Sequence, residues 1–270
     1  MKIAFICVNY NNFEFTREYI KSIEAIKGGH EVTVVVVDNA SDEKDVKAFR
    51  GLDFSRHKLI LSPENVGYFK GLNKGIDAIT IKEYDYVLIG NNDLTFAPNF
   101  LIQLQDIETA SDVLVLAPNI IREDGVHQNP HITSKFSKIQ RIYRRIYYSH
   151  YAFAVLLQRL YNVIKPSIAP EDRIGHDLQQ EILMGYGACY LLTHQFFNHF
   201  KRLDAPFFLM GEEPVLANQV LSVDGKTLYM PNLIVHHHDH ASIGKVPVRK
   251  LYEFSRQSYQ HYLKNLKNIQ

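Results

Sequence analysis

From Lys2 to Pro118 the chain alternates apolar, β-branched runs with amphipathic stretches of helical spacing, and no other feature restricts the fold as much. Residues 32–37 are β-branched at every position, which suits a strand buried on both faces, the condition of a parallel sheet covered by helices. Strands are expected over residues 3–8, 32–37, 59–61, 86–89 and 113–117, and helices over 13–26, 43–49, 67–79 and 98–107. The fold class is therefore α/β, a Rossmann-like, mostly parallel mixed sheet flanked by helices. In open sheets of this kind ligands bind beyond the carboxyl ends of the strands. Here those ends run into Asn9, Asp38, Asn65 and the triplet Asn91, Asn92, Asp93, so a single cleft is expected to gather them.

After Pro118 the rhythm changes. Residues 135–165 are rich in Tyr, Arg and Lys, and no acidic residue occurs between Asp124 and Glu171. This reads as a helical insert, spanning about 133–180, within a second region. An apolar unit at 182–193 resumes the core, and Leu251, Phe254, Tyr259, Tyr262 and Leu266 give the tail helical spacing. The organisation expected is a ligand-binding α/β region over 1–120 and a second region over 121–270 with C-terminal helices, in one continuous globular unit. At 270 residues and 46% hydrophobic, the chain is long enough to bury one large core.

A net charge of +1 excludes the strong field of a nucleic-acid-binding protein. Cys7 and Cys189 both sit in apolar runs, where free thiols act as small hydrophobes, and a reducing cytoplasm fits them. The first residues lack the apolar stretch and cleavage site of a signal peptide, and no apolar segment approaches the roughly 18 residues of a membrane span. A cytoplasmic protein is expected, soluble or peripherally attached at the inner face of the membrane; an oligomer is compatible with the sequence.

The strand ends carry the chemistry. An ionised carboxylate at Asp38 is acceptor-only and is able to receive the imide N–H of uracil or thymine, although an Asp-Asn pair after a strand also serves as a plain turn. Gly67, Gly71 and Gly75 recur every four residues behind Asn65; they either admit an anion at a helix N-terminus or let a helix pack tightly on the sheet, and Asn65 with Asn73 favours a ligand. Asp93 offers a hard oxygen suited to Mg²⁺ or Mn²⁺, against the alternative of an Asn-Asn-Asp turn. His236, His237, His238 and His240 suit a ligand site, a surface cluster or zinc, but no His-Glu-x-x-His pattern is present. The first strand meets Asn9, Tyr10, Asn11 and Asn12 rather than a Gly-x-Gly-x-x-Gly fingerprint, which excludes a nicotinamide dehydrogenase, and a P-loop is likewise lacking.

The ordered set of residues 8–11, 37–42, 65–75, 91–93 and 187–192, leading to the aromatic-acidic turn 203–213, resembles the inverting glycosyltransferases of family two, with the A-type fold, especially bacterial rhamnosyltransferase-like members. The resemblance covers most of the chain outside 135–165. It implies transfer of a sugar from a nucleoside-diphosphate sugar, UDP or dTDP rather than GDP, to a hydroxyl of a glycan or lipid-linked acceptor, in bacterial surface polysaccharide synthesis. It implies donor contacts at Val8, Tyr10, Asp38, Asn65, Gly67, Asn73, Asn91, Asn92 and Asp93. A Mg²⁺ or Mn²⁺ ion is implied at Asp93 with His237 and His238. The family's Glu-Asp pair corresponds to Glu212 and Glu213, the second being the general base. Here Glu replaces that Asp, and Val215 stands where a later acid is common. Glu212 is the competing base, a pair of helix-capping acids is the structural alternative, and a non-catalytic nucleotide-sugar- or glycan-binding homologue is the functional one. For residues 135–165 a membrane-facing or acceptor-facing element stands beside an oligomer contact or a solvated lobe.

Overall fold

The computed structural model describes residues 1–164, 173–238 and 248–265. The expected alternation is present as β1 (Lys2–Asn9), α1 (Phe13–Ile26), β2 (Glu31–Asp38), α2 (Glu43–Arg50), β3 (Lys58–Leu61), α3 (Tyr68–Asp77) and β4 (Tyr86–Asn91). There follow β5 (Leu94–Phe96), α4 (Phe100–Gln105), β6 (Val113–Arg122), the insert helices α5 (Lys138–Tyr147) and α6 (Tyr151–Ile164), then β7 (Gln180–Ile182) and β8 (Cys189–Thr193). The chain ends with α7 (His194–His199), α8 (Glu212–Leu221), β9 (Lys226–His237) and α9 (Val248–Asn265).

Among the described residues one sheet runs β3-β2-β1-β4-β8-β6-β9-β5, with β7 also paired to β9. The half built from β3, β2, β1 and β4 is parallel, β8 is antiparallel to both β4 and β6, and β6 is parallel to β9. The mixed, doubly covered sheet expected from the sequence is thus present. Along β1, Ile3, Phe5 and Cys7 join one apolar layer with Tyr19 and Phe100, whereas Ala4 and Ile6 join the other with Leu72, Phe196 and Leu216. Successive side chains point to opposite faces, so burial of both faces explains the uninterrupted apolar runs. Cys7 and Cys189 are free and fully buried, and burial pushes both thiols up.

Two strands lay outside the sequence expectation. β5 has only three residues, and β9 contains Pro231, which cannot donate to a ladder. The β6–β9 register jumps there, from Pro118↔Met230 to Asn119↔Ile234, and Asn119 Nδ2 ties the bulge by donating to Pro231 O at 3.2 Å. The apolar unit at 182–193 divides into the end of β7, a loop and β8, because the loop returns toward the cleft.

α5 begins with a capping box between Ser137 and Gln140 and joins α6 in a helical hairpin outside the sheet. α9 packs against α5: Tyr252 Oη donates to Tyr147 O at 3.0 Å, Arg256 Nε donates to Tyr148 O at 3.0 Å, and Tyr148 stacks on Tyr259 with centroids 4.6 Å apart. Among the described residues no helix is long and apolar enough to cross a membrane.

Candidate active site

The tips of β1, β2 and β4 are fixed by a buried polar network. Asn9 Nδ2 donates to Asp38 Oδ1 at 2.8 Å and to Ser41 Oγ at 3.0 Å, while its Oδ1 accepts from Thr16 Oγ1 at 2.9 Å and Asn92 Nδ2 at 3.1 Å. Asn92 Nδ2 also lies 2.8 Å from Thr16 Oγ1. A satisfied network in a low-dielectric interior is rigid, and this one holds the strand ends in fixed relation. Asn9 was expected at the cleft as a strand end, whereas Thr16 was not singled out, since a lone Thr inside an amphipathic helix carries no distinguishing pattern.

A cavity of about 560 Å³ opens above these tips, with Val8, Tyr10, Asn65, Gly67, Asn91, Asn92 and Asp93 in its wall alongside Asn39, Tyr186, Gly187, Phe208, Glu212, Glu213 and His237. Asn39 shapes one end: its Nδ2 donates to Asn65 Oδ1 at 2.8 Å and Gly67 O at 3.1 Å, and its Oδ1 accepts from Val66 N at 3.0 Å. Gly67 has φ +89°, and a methyl group there would lie 2.0 Å from Phe208 O. Only glycine fits that conformation and approach. Gly71 and Gly75 serve the other reading, close packing, since methyl groups there would strike Val8 and Ile6 of β1.

Three expected positions lie off the cavity wall. Asp38 is 1% exposed and lies behind the cavity wall, its carboxylate accepting from Asn9 Nδ2 and, at 3.1 Å, from Ser41 N; its neighbour Asn39 occupies the wall. Asn73 faces away on α3, where its amide clamps Leu203 by accepting from its N–H at 2.9 Å and donating to its carbonyl at 2.8 Å. His238 points to the opposite side of the β9 strand end from His237, as period-two alternation requires, and pairs with Glu123 at 2.9 Å. Of the remaining histidine segment, His240 lies outside the described residues.

Asp93 is 1% exposed, lines the cavity, and has no hydrogen-bond partner on either oxygen. Leaving a buried carboxylate without partners is costly. Its Oδ1 is 3.3 Å from His237 Nε2, and His237 Nδ1 is 2.8 Å from Gln128 Oε1. With Gln128 Oε1 accepting, the ring proton sits on Nδ1, and the Nε2 lone pair, beside the carboxylate, accepts from Asn91 Nδ2 at 3.3 Å. Two converging lone-pair donors fit a divalent cation, and ligands at about 2.1 Å from an octahedral ion stand about 3 Å apart. Among the described residues no group of three His, Cys, Asp or Glu side chains converges. Two protein donors are sufficient for Mg²⁺ or Mn²⁺, which otherwise keep water and phosphate oxygens.

The acidic pair enters from α8. Met210 (φ +69°) and Gly211 (φ +103°) turn the chain through two left-handed residues, and the helix then opens on Glu212 and Glu213, where its dipole favours carboxylates. Both are half-buried. Burial, then the neighbouring Glu213, pushes Glu212 up to about 8. Glu213 is also raised by burial, and backbone N–H groups, its own and that of Gly187, hold it down. A smaller cavity of about 190 Å³ adjoins the first, walled by Phe136, Arg144, Tyr148, Tyr259 and Tyr262; Glu213, His131 and Met210 line both. Burial, with Arg173 and Arg144 nearby, pushes His131 down to about 4. The sequence reading missed Asn39, Gln128, His131 and Gly187 as site residues; a glycine before an apolar run is the one local signal among them.

Residues 4–164 match a family described as Glycosyl transferase family 2. No curated protein sequence matches the chain. Among solved structures, residues 1–349 of Staphylococcus aureus TarS superpose with a TM-score of 0.55 at 12% identity, covering 88% of this chain and 60% of that one. GalNAc-T7 with UDP, GalNAc and Mn²⁺ gives 0.63 at 11%, covering 97% and 48%. The mannosyltransferase PcManGT of Pyrobaculum calidifontis, in complex with GDP-Man and Mn²⁺, gives 0.56 at 13%, covering 97% and 64%. The likeness is one of fold, and the chain spans less than two thirds of each of these neighbours.

Proposed function

The chain belongs to glycosyl transferase family 2 and has the A-type fold, and from that membership we propose that it transfers a sugar from a nucleoside-diphosphate sugar to a hydroxyl of a glycan or lipid-linked acceptor, with inversion. The observation that carries the reading is the convergence of an unpartnered buried carboxylate, Asp93, and a raised acidic pair, Glu212 and Glu213, on one cavity at the ends of β1 and β4. The nucleotides in the similar structures, UDP and GDP-Man, support the substrate class. UDP or dTDP is favoured over GDP, and bacterial surface polysaccharide synthesis is the setting that the sequence resemblance implies.

Asn39, Asn65 and Tyr10 border the donor end, where the two amides brace the wall against each other and Tyr10, 40% exposed, offers a ring face. Asp93 and His237 would hold Mg²⁺ or Mn²⁺, which when bound neutralises charge on the departing diphosphate. Glu213, at the junction of the two cavities, takes the proton of the attacking hydroxyl. Burial and the neighbouring Glu213 raise Glu212, and burial raises Glu213, which favours one negative charge rather than two on the pair. The smaller cavity receives the acceptor, its aromatic walls excluding water from the ionised base.

A screen of UDP-, dTDP- and GDP-sugars with and without Mn²⁺ tests this, read as melting temperature and nucleotide release. A donor at 100 times its Kd adds about 2.7 kcal/mol of stability. Binding with release supports the enzyme; binding without release in the presence of varied acceptors leaves a nucleotide-sugar-binding homologue; no binding refutes both.

A further inference from the structure

The outer face of the α5–α6 hairpin is apolar and uncovered. Ile139, Ile142, Tyr143 and Ile146, spaced i, i+3, i+4, i+7 on α5, are 80%, 60%, 45% and 46% exposed. On α6, Phe153, Leu156 and Leu160 repeat the stripe at 50%, 52% and 49%. Side chains at these spacings share one helix face, and on α5 that face turns away from Tyr148, which packs against α9. Lys138, Arg141 and Arg145 of α5 and Arg159 of α6 are all exposed, and among the described residues none is in an ion pair. No acid lies between Asp124 and Glu171.

We infer that this hairpin docks the protein in the interface of an anionic lipid bilayer. An apolar helix face bordered by unpaired cations is the arrangement that enters a headgroup layer, apolar side chains in the acyl boundary and cations among lipid phosphates. A second copy is a poor occupant, because a two-fold contact sets the same patch against itself and would bring these four cations against four like ones. The docking does not depend on the glycosyl-transfer reading. One consequence does rest on it: α5 also turns Arg144 and Tyr148 into the small cavity with Glu213, so a bilayer on the outer face lies beside the route of a lipid-carried acceptor.

The full chain is tested by co-sedimentation with vesicles of phosphatidylcholine alone and of phosphatidylcholine with phosphatidylglycerol, at low and high salt. Binding is expected on the anionic vesicles and is weakened by salt. The paired change Arg141→Gln, Arg145→Gln lowers affinity roughly 25-fold, about fivefold per charge, and Ile142→Ser with Leu160→Ser abolishes binding, each at unchanged melting temperature because the positions are exposed. The chain has no tryptophan, so Phe153→Trp introduces a sole emitter, whose emission shifts to the blue and is quenched by bromine-labelled lipid tails. Four results overturn the proposal: no binding to anionic vesicles at low salt; binding with unshifted, unquenched emission; a dimer dissolved by the serine variants without vesicle binding; or binding of a soluble acidic protein by this face with no vesicle affinity. Loss of vesicle binding with intact donor binding separates failure here from failure of the glycosyltransferase reading.

Discussion

Gly187→Ala isolates the placement of the base from every other property of the site. A methyl group at Gly187 would fall 2.6 Å from Glu213 Oε1 and 3.2 Å from its Cδ, so the carboxylate must retreat by about 0.8 Å to reach an ordinary 3.4 Å contact. The backbone at Gly187 is not left-handed, so alanine adds no strain of its own, and what moves is the end of a flexible side chain. An off-rotamer shift costs about 0.5–1.5 kcal/mol, which lowers the melting temperature by no more than about 4 °C. A misplacement near 1 Å at a reacting group costs about 10²-fold in rate, or about 2.7 kcal/mol of barrier. Measured as nucleoside-diphosphate release under saturating donor, Gly187→Ala is expected to lose that factor while binding donor normally. In a Glu213→Gln background the same change should add little, because the two act through one group. Near-wild-type turnover, a loss of donor binding in parallel with turnover, or full additivity with Glu213→Gln would refute the reasoning.

Glu213→Gln should preserve donor affinity and lower turnover by about 10²- to 10⁴-fold; normal turnover in that variant with none in Glu212→Gln would move the base to Glu212. Because the base acts ionised and burial raises Glu213, kcat/KM should rise with pH through a midpoint above the ordinary glutamate range; a midpoint within that range would remove the raised base. Since the folded chain keeps the proton of Glu212 up to about pH 8 while the unfolded chain loses it near its ordinary value, stability falls as pH rises through that window, and Glu212→Gln should flatten the decline in melting temperature. Asp93→Asn should abolish the Mn²⁺-dependent part of donor binding seen by calorimetry; unchanged Mn²⁺ dependence would place the ion elsewhere. Asn73→Ala and Asp38→Asn should each cost about 1–3 kcal/mol of stability by stranding buried partners, read by urea unfolding; a stable Asp38→Asn that binds uridine nucleotides about tenfold more weakly would return Asp38 to reading the base.

Local pattern alone determined the parallel half of the sheet and its helices. Residues 32–37 read as a doubly buried strand because every side chain there is β-branched, and α1 spans the residues its spacing marks. The strand ends named the cleft for the same reason: a sheet buried on both faces confines its polar residues to the tips. Which member of each polar pair enters the cleft was decided by the tertiary structure. Asp38 and Asn39 are neighbours, as are His237 and His238, yet one of each pair lines the cavity and the other does not, because facing follows a register fixed by distant pairing partners. Asn73 has the composition of a ligand-binding residue, but the loop at Leu203, 130 residues away, occupies its amide. His237 is oriented by Gln128 from 109 residues away, and Glu213 fits only because Gly187 leaves the space beside its carboxylate. Periodicity acts over a few residues and is legible in the chain, whereas these contacts join segments that become neighbours only when the sheet assembles.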